Sequence, residues 1–249
     1  MRNGTIGSIW RTLTLGTLTV TSALLLPSGA GAGLIDFDEV DVGLVHGSIV
    51  DTQYLASLGV GISAVVAGRS PDLAVAFDTG ERNTRDLDLE FPAGDYDNIL
   101  ILQENFIGCE DRVCDRPDDK GSRPAGFVEF SFDHDIVEFG LDLLDVEGSE
   151  ELGSLAFFQG ISDLPFATIL FESFAGMSFG DHSVNTLDPI VAAELGVDGF
   201  DRVRVLFGGS GGLDNVRFEA APVATPEPDT ALLLGLGLAA LAFGGRARR

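Results

Sequence analysis

Any chemistry in this chain falls first to its carboxylates. Asp36, Asp38, Glu39 and Asp41 form one acidic cluster, Asp78, Asp86 and Asp88 a second, and Asp118 and Asp119 a third. Calcium takes six to eight oxygen ligands, often from several loops, so acidic loops suit it. None of the three clusters has EF-hand spacing. Two carboxylates on a β scaffold could also hydrolyse a glycosidic bond. Nothing in the spacing singles out such a pair among 39 acidic residues.

Nucleophilic chemistry finds less support. The run from Gly208 to Gly212 fits G-x-S-x-G with Ser210 at its centre, but that motif works only as a strand–turn–helix. Here "VRVLF" precedes it and "LDNVRF" follows, so the pattern predicts a flexible hairpin between two strands. His46, His134 and His182 are scattered and read as surface histidines. Asp181, His182 and Ser183 are sequence neighbours, and triads are not built that way. Cys109 and Cys114 lie in "GCEDRVC". Two thiols with no nearby histidine make a poor zinc site. In an oxidising compartment they predict a local disulfide.

The elements that must position these residues divide the chain in three: 1–32, 33–221 and 222–249. Arg2 and Arg11 precede an apolar run from Leu13 to Leu26, Pro27 breaks it, and Ala30-Gly31-Ala32 is an A-x-A site. That is the pattern of a secretory signal helix cleaved after Ala32. The body carries a large acidic excess within a chain of net charge −24, a surface that repels phosphate backbones and excludes nucleic acid as a partner. Its short runs alternate. Val128, Phe130 and Phe132 face one way in "GFVEFSF", and Val203, Val205 and Phe207 do so in "DRVRVLF" with Arg202 and Arg204 outward. Val216 and Phe218 follow the same rule in "DNVRFE". Period-two runs with glycine-rich turns predict an all-β protein, an antiparallel β-sandwich or jelly roll. Helical turns are expected around 52–58 and 190–195. Tyr54 and Tyr96 are the body's tyrosines and its tryptophan count is nil, Trp10 lying in the leader, which leaves few aromatic platforms for sugar rings.

The tail is a third kind of sequence. "TPEP" is followed by an apolar run from Ala231 to Phe243, short for a bilayer span, and then by Arg246, Arg248 and Arg249. A short transmembrane helix with its basic end in the cytoplasm is expected. Pro226-Glu227-Pro228, the apolar run and the arginines together resemble the PEP-CTERM sorting tail of Gram-negative bacteria. The resemblance implies export through the Sec translocon, transient anchoring in the inner membrane and processing by an exosortase, a membrane cysteine transpeptidase. Release to the cell surface or to extracellular polysaccharide would follow. The same tail is sometimes labelled an ice-binding protein C-terminus, which describes the tail and no activity of the body.

The body is similar to a recurrent group of PEP-CTERM proteins, through "FDT" at 77–79, "DLDL" at 86–89 and "NILILQE" at 98–104. "PDD" at 117–119, "LLDVE" at 143–147 and "GSGGLDNVRF" at 209–218 complete the likeness. Its terminal runs "LIDFDEV" and "GLDNVRFE" resemble the paired end strands of jelly-roll carbohydrate-binding modules, in which acidic residues hold a structural calcium. That resemblance implies Asp38, Glu39 and Asp214 as calcium ligands; solvated acidic loops, with Asp214-Asn215 as a turn, are the alternative. The function expected is a non-enzymatic surface or matrix protein that binds carbohydrate, calcium or its own copies. A secreted hydrolase of exopolysaccharide, which needs a cleft with paired carboxylates, and an ice-binding protein are the alternatives.

Overall fold

The computed structural model describes residues 31–38, 42–80, 87–91, 96–146, 153–222, 234–235 and 237–238. In chain order its elements are β1 (Ala32–Ile35), α1 (Leu55–Leu58), β2 (Val60–Val66), β3 (Ala74–Asp78), β4 (Asn98–Leu102), β5 (Cys109–Glu110) and β6 (Val113–Cys114). They continue with β7 (Gly126–Leu144), β8 (Ser154–Phe158), β9 (Ala167–Leu170), β10 (Val184–Val191), β11 (Phe200–Phe207) and β12 (Gly212–Ala220). All the pairings are antiparallel, and helix is almost absent among the described residues.

One strand organises the rest. The first half of β7 pairs with β2 and β11, and β8 and β9 continue outward from β11. Its second half pairs with β10 and β12, and β12 also carries β1 and β4, with β3 beyond. The expected strand "GFVEFSF" is therefore only the first part of a longer one, which runs on through "EFGLDLL". Between them Asp133, His134 and Asp135 are exposed, and the inward residues change from even positions (Val128, Phe130, Phe132) to odd ones (Phe139, Leu141, Leu143). The change of phase is a bulge. Glu219 lies opposite Glu138 but Ala220 lies opposite Ile136, leaving one extra residue on β7.

The bend at 133–136 is sharp. Phe207 pairs with Gly126 and Gly212 with Leu144, so residues 208–211 alone connect the two ends of β7. Five backbone steps reach about 17 Å at most. A straight 19-residue strand would separate those ends by roughly 60 Å. The halves of β7 therefore double back, and the large apolar cluster fills the space between them, built on Phe130, Phe139, Phe157, Phe200 and Val216. The expected hairpin at Ser210 is corrected accordingly. β11 and β12 are not hydrogen-bonded neighbours, and residues 208–211 cross from one half of β7 to the other.

The runs "LAVAF" and "NILIL" are apolar throughout because β3 and β4 are buried on both faces. Ala76 and Leu100 join the main cluster, while Val75, Phe77, Ile99 and Ile101 pack a second one with Leu89 and Phe91. The helical expectations reduce to α1 and a 3-10 turn at Ala192–Leu195, each closed by a left-handed glycine, Gly59 and Gly196. Gly126 shows what its residue type does. Its φ is +143°, and a Cβ there would lie 2.1 Å from the carbonyl oxygen of Val65. Gly126→Ala is expected to cost about 2–3 kcal/mol through strain and clash, lowering the melting temperature by roughly 5–10 °C, as thermal unfolding would read.

Candidate functional site

The carboxylates meet where the terminal strands run side by side. Ile35 of β1 lies opposite Val216 of β12, so the residues after Ile35 run on toward Asp214. Phe37 takes a left-handed turn (φ +57°) and buries its ring edge-on to Tyr54 at 6.1 Å between centroids. Asp36 and Asp38 flank that anchor. The Asp38 carboxylate accepts the Asn98 N–H at 2.5 Å, and Asp36 Oδ1 accepts the Asp38 N–H at 3.2 Å.

On β12, Asp214 lies opposite Asp142 of β7, and a second bulge follows at once, with Asn215 left-handed (φ +48°). Asn215 Nδ2 donates to Asp142 Oδ2 at 2.9 Å and to Asp214 Oδ2 at 3.1 Å. Arg217 forks onto Asp142 Oδ1 at 3.1 and 3.0 Å. Asp142 thus has a counter-ion. Asp214 does not: it is 2% exposed, and its Oδ1 has no hydrogen-bond partner. Burial first, then repulsion from Asp38, Asp142 and Asp36, pushes its carboxyl up to about 8 despite a bond from Asn215. Burial also raises Asp38, helped by Asp97, Asp36 and Asp78 and opposed by the Asn98 N–H.

A buried carboxylate facing three others takes up a proton or a cation, because an unpaired charge there is costly. The structure brings Asp38 and Asp214 into electrostatic contact, whereas Glu39 lies outside the described residues. Among the described residues no group of three or more His, Cys, Asp or Glu side chains is arranged to hold a metal ion. Asp36 and Asp142 are the members that sequence reasoning did not assign. Alternation in "GLDLLDV" could have marked Asp142 as a strand residue beside the seam.

Asp118 and Asp119 act elsewhere. Asp119 is buried and accepts Ser210 Oγ at 2.6 Å and the Gly211 N–H, tying down the 208–211 crossing. Burial, with Asp88 and Asp118 adding, pushes its carboxyl up to about 6. Ser210 is thus a donor to a structural aspartate between two strands. The histidines stay apart: His46 Nδ1 accepts the Asp78 N–H at 3.0 Å, His134 pairs with Asp133, and His182 Nε2 lies 3.1 Å from the Leu87 carbonyl. Cys109 and Cys114 face each other across β5 and β6 and form a disulfide. Ala32 opens β1, and Ala30 lies outside the described residues. A cavity of about 560 Å³ sits at the bend of β7, between α1, the start of β1 and the end of β12, with Asp133 and His134 on its wall.

The sequence profile of the PEP-CTERM protein-sorting motif matches residues 224–249. The chain carries a PEP-CTERM sorting tail. Pro226, Glu227, Pro228, Arg246, Arg248 and Arg249 fall within the match, and all six lie outside the described residues. Such a signal implies export, an exosortase as the processing enzyme, and a membrane-anchored stage before release. No helix among the described residues is long and apolar enough to cross a membrane. No curated protein and no solved structure matches the chain.

Proposed function

We propose that residues 33–221 form an exported, non-catalytic β-sandwich or jelly-roll module that its PEP-CTERM tail delivers to the cell surface or extracellular matrix. There it would hold calcium and bind carbohydrate. The tail supports the delivery. The single observation that carries the binding reading is the buried, partnerless Asp214 Oδ1 facing Asp36, Asp38 and Asp142. Calcium would supply the counter-charge that Asp214 lacks, with Asp38, Asp214 and Glu39 as its ligands. Holding both terminal strands at once, the ion would act as a clamp on the fold rather than as a reagent.

The test is thermal unfolding of the full-length chain in a nonionic detergent, with millimolar calcium and with excess chelator. An ion bound at one hundred times its dissociation constant stabilises by about 2.7 kcal/mol. A rise of roughly 5–10 °C with calcium is therefore expected, and Asp214→Asn should abolish it. Identical melting curves with calcium and with chelator would refute the calcium assignment.

A further inference from the structure

The tail leaves the body from a particular end. Ala220 lies opposite Ile136, and the Ala221 N–H bonds the Asp135 carbonyl, so β12 ends at the bend of β7. The start of β2 is there too, with Val60 opposite Phe132, and α1 immediately precedes it. So is the β8–β9 loop, because Arg202 pairs with Phe158 next to the bend and Phe157 pairs with Ala167. This end presents large apolar side chains to solvent: Ile161 and Leu164 are 102% and 80% exposed, with Leu55 and Phe166 half exposed.

The apolar loop is held in place. Arg202 donates to the carbonyls of Gly160 and Ser162 at 3.1 and 2.5 Å, and Asp201 accepts the Gly160 N–H at 2.9 Å. Ser162 Oγ bridges to Leu164 through both its backbone groups. Arg202 is itself fixed over the Phe158 ring at 5.1 Å. Isoleucine and leucine held in water leave apolar surface uncovered, so a partner surface that covers them is favoured. The apolar run of the tail begins at Ala231. The nine residues from Pro222 to Thr230 reach about 30 Å at full stretch, so an anchored tail keeps this end within about 30 Å of the bilayer.

We infer that the β8–β9 loop, with Ile161 and Leu164 at its tip, docks the body onto the lipid surface in which its own tail is inserted. The occupant is the interfacial region of the bilayer, and the docking holds while the chain is anchored. It rests on the membrane-anchored stage that the sorting tail implies. The opposite end, where Val184 pairs with Leu144, lies about 26 Å away along β12. A leader that had not been removed would enter from the bend end as well, since β1 begins there.

The experiment uses the full chain with Trp10→Phe and one added probe, either Leu164→Trp or Val184→Trp. Both positions are solvent-facing, so neither change touches the core. Each chain is reconstituted into phosphatidylcholine vesicles with brominated or ordinary acyl chains and purified by flotation. At least twofold quenching by bromine is expected for the Leu164→Trp chain and none for the Val184→Trp chain. Equal quenching of both, or of neither, in floated vesicles overturns the docking. Failure of the chain to float overturns the anchored stage itself, and the docking with it.

Discussion

In excess chelator the chain unfolds at a higher temperature at pH 5.5 than at pH 8. The buried Asp214 carboxyl has its folded pKa raised to about 8 from an ordinary value of 3.8, chiefly by burial. A group with that sign binds its proton more tightly in the folded than in the unfolded chain. Its contribution is therefore fully present below about pH 4 and is lost as pH rises toward 8. Asp119, raised to about 6, adds loss of the same sign between roughly pH 4 and 6. At about 1.4 kcal/mol per pH unit, Asp214 alone accounts for on the order of 3 kcal/mol between pH 5.5 and 8. That is a melting shift of roughly 5–10 °C. Relief of general repulsion also favours low pH in a chain of net charge −24, so the variant decides. Asp214→Asn should flatten the pH dependence above pH 6 and raise the melting temperature at pH 8. If it melts lower than the parent at pH 8 in chelator, the carboxylate is compensated in the fold and the seam is not a charge-starved site.

The alternating strands were legible because each buries one face: the inward residues of "GFVEFSF", "DRVRVLF" and "DNVRFE" all lie in the main cluster. What the pattern concealed was continuity. Asp133-His134-Asp135 looks like a turn, and its exposure is real, yet Phe132 and Ile136 on either side stay paired within β7. Composition reports burial, and burial does not distinguish a turn from a bent strand. The crossing at 208–211 departs from the expected hairpin for a related reason, since glycine permits both a hairpin and a hop between distant partners. At the seam, the likeness of the terminal strands points to Asp38 and Asp214. It does not point to Asp36 and Asp142, because their proximity to Asp214 comes from the left-handed turn at Phe37 and from the pairing of β12 with β7. Register of that kind is long-range and leaves no local trace.

Phe139→Ala is expected to cost about 3–5 kcal/mol, the range for emptying a buried phenylalanine site. Phe139 is fully buried on the second half of β7, three residues past Ile136. Its ring meets Phe130 at 5.9 Å and Phe132 at 6.4 Å, both on the first half of the same strand, and Phe132 meets Phe218 of β12 at 5.0 Å. These rings span the bend, so they hold together two halves that backbone hydrogen bonds leave to separate partners. Aromatic contacts of this geometry add about 0.5–1.5 kcal/mol beyond area. A fall in melting temperature of roughly 10 °C or more should follow. Phe139→Leu keeps most of the volume and should cost under about 1.5 kcal/mol, while Phe106→Ala, at a largely exposed ring, should stay within about 0.5 kcal/mol. A loss at Phe139→Ala no larger than at Phe106→Ala would mean that the bend is held by its flanking sheets, and that the ring cluster only fills space.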